Sequence, residues 1–311
     1  MRKKIYFHFF STFSDFSLFN FFKMIPNFFE LNQFFTNEKA CIEFLIDKGL
    51  LVSQPRCFRC RKPTYRFVSL WKCRNRNCSW AKSIYNGSVF GNTRLSPTKV
   101  FFIGYLWLIG CPNSSIQVMT GCSSGTITSF AKLFREMVTN EIEETQTQIG
   151  GEGIIVEIDE SKFGKRKYNR GHSVEGAWVI GGVERTPERR IFAEVVEKRD
   201  AETLLEVIKR RVAPGSTIHT DMWKAYNNIP EIISQSTHLT VNHSKNFKDP
   251  GTGVHTNTIE GTWNGIKINI PGRARHKKLI GGYIAEFIWR RQNKDDLWAA
   301  FLTCLSHSLV F

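Results

Sequence analysis

Three acidic residues in the C-terminal half of the sequence have the types and positions that metal-dependent phosphoryl transfer requires. Asp159 and Asp221 each close a short predicted strand, and Glu260 lies at the start of a predicted helix. Two like charges side by side at one sheet edge are tolerable only with cations between them. Two Mg²⁺ or Mn²⁺ ions about 3.5–4 Å apart would activate a water or a hydroxyl and stabilise the leaving oxygen. The three carboxylates would supply the oxygen ligands that such ions prefer.

Neighbouring residues leave alternatives to this assignment. Glu157 or Glu160 could be the ligand in place of Asp159, although strand alternation puts Glu157 on the face of Asp159 and Glu160 on the opposite face. Asp159, at the predicted strand end, is therefore favoured. Trp223 and Trp263 are most simply core residues, but a flipped base could stack on one of them.

Four of the eight cysteines are clustered, with two residues between Cys57 and Cys60 and four between Cys73 and Cys78. Two thiolate pairs joined by short turns form the tetrahedral ligand set of a structural zinc ion, so we expect one Zn²⁺ in a small zinc ribbon. Four unrelated buried cysteines are the alternative, which the surrounding Arg and Lys residues disfavour. The other cysteines are scattered, and the pattern indicates a reducing compartment rather than a disulfide scaffold.

The chain is strongly basic, because 43 Lys and Arg against 28 Asp and Glu give a formal charge of +15. Its hydrophobic content of 41% excludes a mainly disordered protein. The charge favours nucleic acid as a partner, and an acidic membrane surface second, since counterion release drives binding to polyanions. The segment 56–99 carries eleven Lys or Arg and no acid, which indicates contact with a phosphate backbone.

Candidate DNA contacts surround both predicted metal sites. Around the cysteines they are Arg59, Arg61, Lys62, Arg74 and Arg76. In the basic loop after Asp159 they are Lys162, Lys165, Arg166 and Lys167. Beyond Glu260 phosphate positioning is favoured over a merely solvated face for Lys267, Arg273 and Arg275. Three histidines could bind metal but are more often ordinary hydrogen-bonding partners, and the last two are possible DNA or phosphate contacts: His219, His243 and His255.

The predicted elements would bring the acids together. Hydrophobic patterns predict strands over 153–159, 177–183 and 191–196, an amphipathic helix over 201–211 and a strand over 217–220. Three strands, a helix and a strand are the order of an RNase H-like mixed sheet, so the predicted fold class is α/β. A further helix is expected near Glu260, with Asn257 or Thr258 as its cap.

Helices and the ribbon are predicted upstream of this sheet. One helix should run from Asn37 to Gly49 and another should begin at Ser96-Pro97. A pair over 114–120 and 124–144 resembles a helix-turn-helix, although such hairpins are also common packing devices. A linker is expected over 145–153. The predicted domains are an N-terminal extension (1–36), a helix with the zinc ribbon (37–96), a helical segment (97–148) and an RNase H-like catalytic domain with C-terminal helices (149–311).

The first 23 residues imitate a secretory signal, with a basic start and a Phe-rich run to Phe22. Asp15 and interspersed Ser and Asn, together with the lack of a small-residue cleavage site, argue against secretion and against a membrane span. We expect residues 1–23 to be dispensable and Met24 to be the working start. The expected location is the nucleus in a eukaryote and otherwise the cytoplasm, with no membrane association.

Several motifs together resemble the ISXO2-like transposase domain of the Merlin group of DNA transposons and its bacterial relatives. They are EIDESK (157–162), HTDMWKAY (219–226), VNHS (241–244), GVHTNTIEGTW (253–263) and GYIAEFIWRR (282–291), with the cysteine cluster similar to the zinc ribbon often found ahead of that domain. The resemblance covers roughly residues 37 to 304. It implies that Asp159, Asp221 and Glu260 are a catalytic DDE triad.

The resemblance also implies cut-and-paste transposition of double-stranded DNA flanked by terminal inverted repeats. A homodimer is expected by the same resemblance, because a transposase must hold two element ends together. Two other functions stay open: a domesticated zinc-ribbon DNA-binding protein with reduced or lost catalysis, and an RNase H-like host nuclease. Strand transfer as opposed to plain hydrolysis at labelled element ends would separate them.

Overall fold

The computed structural model describes residues 25–91, 93–145, 148–164, 176–242 and 247–307. The chain forms two compact units, one containing the chain up to Cys122 together with the stretch from Lys294 onward, and the other containing Ser123–Asn293. The predicted boundary at residue 148 does not coincide with this division. The extension over residues 1–23 lies outside the described residues, and no helix in the described ranges combines the length and apolarity needed to cross a bilayer.

Two helices of the first unit begin at the N-cap residues that the sequence predicts. Asn37 accepts a hydrogen bond from the Ala40 N–H at 3.1 Å, and Ser96 caps a helix with proline at its first position. Both caps confirm the predicted helix starts. The helices of this unit are α1 (Phe28–Thr36), α2 (Glu38–Asp47), α3 (Pro97–Leu108), α4 (Asn113–Thr120) and α10 (Leu297–His307).

The sequence pattern does not predict helix α1, whose Phe-rich residues fall within the predicted N-terminal extension. It begins with a capping box, in which Asn27 and Glu30 satisfy each other's backbone N–H groups. The Phe35 ring packs against Phe102 and Tyr105 of α3, with centroids 4.8 and 5.3 Å apart. Aromatic packing therefore gives this segment a partly buried face that hydrophobic periodicity does not indicate.

The predicted zinc ribbon is a small antiparallel sheet of β1 (Thr64–Phe67), β2 (Leu70–Cys73) and β3 (Ala81–Ser83), in that order. Its strands are short, and the third is exposed along its whole length. The buried cluster inside it consists of cysteine side chains with Trp80 packed against them. A sheet of this size cannot form a hydrophobic core of its own.

The second unit is built on a five-stranded mixed sheet of order β10-β9-β5-β6-β7. β10, β9 and β5 are parallel, whereas β5, β6 and β7 are antiparallel. The predicted order of three strands, a helix and a strand is observed. The strands are β5 (Ile155–Phe163), β6 (Ala177–Glu184), β7 (Ile191–Val196), β9 (Thr217–Asp221) and β10 (Thr237–Val241), with β4 (Ile149–Gly150) and β8 (Val212–Ala213) forming a separate parallel pair.

Helices cover both faces of this sheet. On one face, Val156 and Ile158 of β5 share a core with Leu204 and Ile208 of an amphipathic helix. On the other face, Trp263 of a second helix packs over β6. The helices of this unit are α5 (Ser124–Thr145), α6 (Ala201–Arg211), α7 (Ile229–Ile232), α8 (Asn257–Asn269) and α9 (Lys277–Gln292). The linker predicted over 145–153 is thus partly wrong, because Thr145 ends α5 and residues 149–150 form β4.

Candidate active site and metal centre

The register of the sheet brings Asp159 and Asp221 to the same level. β5 pairs in parallel with β9 from Ile155↔Thr217 to Glu157↔His219, and the same offset two residues further sets Asp159 level with Asp221. Side chains that are in register on neighbouring strands project to the same face. The sheet therefore presents both acids on the face covered by α8.

Asp159 lies in the middle of its strand, so the prediction that it ends the strand is wrong. β5 continues to Phe163 because its second half pairs with β6, from Glu160↔Ile180 to Phe163↔Ala177. That pairing joins distant parts of the chain, and the local pattern did not indicate it. The strand that does end in an acid is β9, at Asp221.

Trp263 of α8 orients Asp159. Its indole Nε1 donates a hydrogen bond to Asp159 Oδ2 at 3.0 Å, and the ring lies against Gly181, the residue opposite Asp159 on β6. A Cβ at Gly181 would come within 2.6 Å of the indole, so glycine is required for this approach. Asp221 is half-buried, and its Oδ1 accepts the backbone N–H of Trp223 at 3.0 Å.

The electrostatics of Asp159 suit a cation site. Burial, followed by the charges of Glu160 and Asp221, raises the pKa of Asp159 from its ordinary 3.8 to about 7. A carboxyl group that resists ionisation between two other acids is stabilised as a carboxylate when a divalent cation binds beside it. The donor set here is oxygen alone, which fits Mg²⁺ or Mn²⁺ rather than a softer metal.

Glu260 lies in the first turn of α8, half-buried. The predicted helix is present, but its N-cap is Thr256 rather than Asn257 or Thr258, and Thr256 makes no side-chain capping hydrogen bond. In the described part of the chain, only the four cysteines form a group of three or more potential ligands within 4.8 Å of one another. Ligands shared by two ions spread over a wider area than that. Joint metal binding by the three acids stays a prediction.

The two glutamates that flank Asp159 are occupied by other partners. Glu157 is fully buried on the face of Asp159 and accepts hydrogen bonds from α8 and from Arg185. Glu160 faces the other way, where Arg199 and the Tyr226 hydroxyl donate to it. No local pattern in the sequence indicates Arg185, Arg199 or Tyr226, because these partners are distant in the chain.

His219 and His255 resemble structural residues more than charged contacts. Burial, with Arg185 nearby, lowers the pKa of His219 to about 4, so its ring is neutral; its Nδ1 has no hydrogen-bond partner among the described residues. Burial and Arg185 also lower the pKa of His255, whose Nδ1 accepts the Asn257 N–H at 3.3 Å. His243 lies outside the described residues.

The four clustered cysteines form a compact group of sulfur ligands. The Sγ atoms of Cys57 and Cys78 are 3.7 Å apart and those of Cys60 and Cys73 are 3.4 Å apart. A tetrahedron with Zn–S distances of about 2.3 Å has S···S edges of about 3.8 Å. A hydrogen bond from the backbone of Lys62 is the largest of the causes that lower the pKa of Cys60 to about 7. The cluster can hold a metal ion such as zinc.

The predicted DNA contacts differ in their surroundings. Arg59, Arg61, Lys62, Arg74 and Arg76 are exposed around the ribbon, and Lys162 and Arg273 are exposed in the second unit. The Arg275 guanidinium donates to the carbonyl oxygens of Lys267 and Ile270 at the end of α8, and its contact with DNA stays a prediction. The Lys267 ammonium lies 5.4 Å from the centre of the Phe163 ring. Lys165, Arg166 and Lys167 lie outside the described residues.

Comparison with known proteins points to one family. A family model described as the ISXO2-like transposase domain matches residues 137–292, half of the chain. A protein of Haemophilus influenzae described as an uncharacterized transposase-like protein is 27% identical over 114 residues, which are 34% of this chain and 84% of that protein. The family match includes the sheet and the helices α8 and α9.

Proposed function

Because the chain belongs to the ISXO2-like transposase domain family, we propose that it is a DDE transposase that performs cut-and-paste transposition. It would cut DNA at terminal inverted repeats and join the ends to a target. Asp159, Asp221 and Glu260 are the proposed ligands of two Mg²⁺ or Mn²⁺ ions. The observation that carries this proposal is the β5–β9 register, which sets the two aspartates level on the face covered by α8.

In the proposed reaction, the protein's own residues hold the metal-binding carboxylates in position. When bound, the ions would supply Lewis-acid stabilisation and an activated water or 3′-hydroxyl. The Trp263 indole holds Asp159 and the Trp223 backbone N–H holds Asp221, so both carboxylates are oriented in advance. Burial raises the pKa of Asp159 to about 7, so a divalent cation held there would favour its ionised form.

We also infer an RNase H-like fold for the second unit and a structural Zn²⁺ in the ribbon. Three antiparallel strands followed by two parallel strands, in spatial order β7-β6-β5-β9-β10, support the fold assignment. Four thiolates leave no open coordination position, which supports a structural rather than a catalytic ion. The proposed partners are double-stranded DNA, both as element ends and as target, and a second copy of the chain.

A strand-transfer assay tests the proposed function. Labelled duplexes taken from the DNA that flanks this reading frame are incubated with the full-length protein, a target plasmid and Mg²⁺. We expect nicked ends and joined products, and loss of both with Asp159→Asn, Asp221→Asn or Glu260→Gln while end binding persists in gel shifts. Hydrolysis without joining would identify a nuclease instead, and binding without any cleavage would identify a DNA-binding protein that has lost catalysis.

A further inference from the structure

The N-terminus of α8 is held by a carboxylate from the central strand of the sheet. Oε2 of Glu157 accepts the backbone N–H groups of Thr258 and Ile259 at 2.8 and 3.0 Å, and Oε1 accepts the Thr258 hydroxyl at 2.8 Å. A helix N-terminus leaves its first N–H groups without partners inside the helix. Here a residue of β5 satisfies two of them, in place of a cap from the preceding chain, and its negative charge suits the helix dipole.

Arg185, immediately after β6, braces this contact. Its Nε donates to Glu157 Oε1, and its Nη2 donates to the carbonyl oxygen of His255 at 2.7 Å. Its backbone N–H donates to the carbonyl oxygen of Ile155 at 2.9 Å. The buried ion pair therefore connects β5, the end of β6 and the segment that leads into α8.

These contacts leave Glu157 no capacity to bind a metal. A carboxylate offers about four lone-pair sites. Four donors occupy those of Glu157: the Arg185 Nε, the Thr258 hydroxyl and the N–H groups of Thr258 and Ile259. Its side chain is also completely buried. Although it shares a face with Asp159, Glu157 is saturated by the protein itself.

We propose that Glu157 is a positioning residue, which fixes the first turn of α8 and thereby sets Glu260 relative to Asp159. Glu157 and Asp159 are two residues apart on one strand, and Glu260 directly follows Ile259, whose N–H Glu157 binds. A single strand thus carries one proposed metal ligand together with the anchor of the helix that carries another. The role in metal binding rests on the proposed function, whereas the anchoring of α8 does not.

The first test uses amide hydrogen exchange, without metal or DNA, to ask whether Glu157 holds the N-terminus of α8. Glu157→Gln in the full-length protein keeps the side-chain shape but removes acceptor capacity. Glu184→Gln is the matched control, because Glu184 is a buried glutamate of the same sheet whose described hydrogen bonds go to Gly150, Thr186 and Arg190. We expect amide hydrogen exchange over residues 257–260 to become at least about tenfold faster in the Glu157 variant and to stay unchanged in the control. Equal exchange rates in wild type and Glu157→Gln would overturn the claim that Glu157 anchors the first turn of α8.

The second test measures positioning. Binding of Mn²⁺ to the full-length protein without DNA, followed by water proton relaxation, should weaken about 10- to 100-fold in Glu157→Gln, the range typical of residues that support metal ligands. End binding in Ca²⁺ should stay within about twofold. Wild-type Mn²⁺ affinity despite faster exchange would overturn the positioning role. Complete loss of binding, as expected for Asp159→Asn, would make Glu157 a ligand and would overturn it too.

Two further outcomes keep the result interpretable. If Glu157→Gln does not fold, Thr258→Val removes only the hydroxyl donor and should show the same changes in exchange and Mn²⁺ affinity at smaller size; no change in either would overturn the proposal. If wild type and Asp159→Asn bind Mn²⁺ equally, the proposed function itself fails. The positioning role then falls with it, while the exchange data still decide whether Glu157 anchors α8.

Discussion

The two candidate metal centres of this protein are assembled by opposite means. In the ribbon, four sulfurs within residues 57–78 are brought together by short turns, with the Sγ atoms of Cys60 and Cys73 3.4 Å apart. In the sheet unit, the acids are far apart in the chain. As metal ligands they would depend on strand register and on the packing of α8 to meet on one face.

The difference lies in what each region buries without a metal. The buried cluster of the ribbon is made of its proposed zinc ligands, so we expect its folding and its metal binding to be one process. The sheet buries a large apolar cluster that includes Val156, Ile158 and Leu204, and it should fold whether or not its acids bind ions. The proposed metal would thus be structural in the first region, whereas only the chemistry should depend on the proposed ions in the second.

The largest expected effect is loss of the ribbon. Cys60→Ser should abolish stoichiometric Zn²⁺ binding and unfold residues 56–91, because structural zinc contributes on the order of 10 kcal/mol to such modules. Zinc analysis and limited proteolysis check this, with Cys111→Ser as a control that keeps the ion. Melting of the sheet unit should be unchanged, and a zinc-free ribbon that resists proteolysis would contradict the comparison.

The next effect concerns catalysis. Asp159→Asn should lower Mg²⁺-dependent cleavage by at least about 1000-fold, equivalent to about 4 kcal/mol, because an amide cannot replace a carboxylate as an ion ligand. Circular dichroism and end binding should match those of wild type. Cleavage retained in this variant would show that another acid is the ligand.

The same substitution should have a pH-dependent effect on stability. Folded Asp159 has a pKa of about 7 against an ordinary 3.8, so the folded state binds the proton more tightly and loses stability as pH rises from about 4 to about 7. In metal-free protein, Asp159→Asn should therefore be as stable as wild type below pH 4 and more stable above pH 7, by a few kcal/mol. Denaturant titrations at several pH values check this. A stability difference that does not change with pH would refute it.

The smallest effect tests the packing of α8 on the sheet. Gly181→Ala would place a methyl group within 2.6 Å of the Trp263 indole, so we expect a cost of about 1–3 kcal/mol and a weaker hydrogen bond to Asp159. Gly281→Ala is the control, since a Cβ there meets nothing within 4 Å. Chemical denaturation measures the stability of both variants, and tryptophan fluorescence reports the surroundings of Trp263. Equal stability of the two variants would show that α8 can shift away from β6 to make room for the methyl group.

Local signals in the sequence were sufficient for features that local contacts determine. Three such features were predictable, because each depends on residues close in the chain. They are the helix caps at Asn37 and Ser96, the helix over 201–211 and the grouping of the four cysteine sulfurs. Alternation also placed Glu157 on the α8 face and Glu160 on the other.

Features that depend on distant partners were missed. The extension of β5 past Asp159 requires β6, and the cap of α8 comes from Glu157, about a hundred residues earlier. Such partners are chosen by tertiary packing, which no short window of sequence contains.

The discontinuity of the first unit has a consequence for vectorial synthesis. Aromatic rings of α10 pack on α3. The ring centroids of Trp298 and Phe101 are 5.9 Å apart, and so are those of Phe301 and Trp107. Domains generally fold as units while the chain emerges from the ribosome. All of Ser123–Asn293 emerges from the ribosome before α10 does, so the unit whose residues are translated first is the last to be completed. A released chain that ends at Asn293 should carry a folded sheet, while its N-terminal unit still lacks the closing helix.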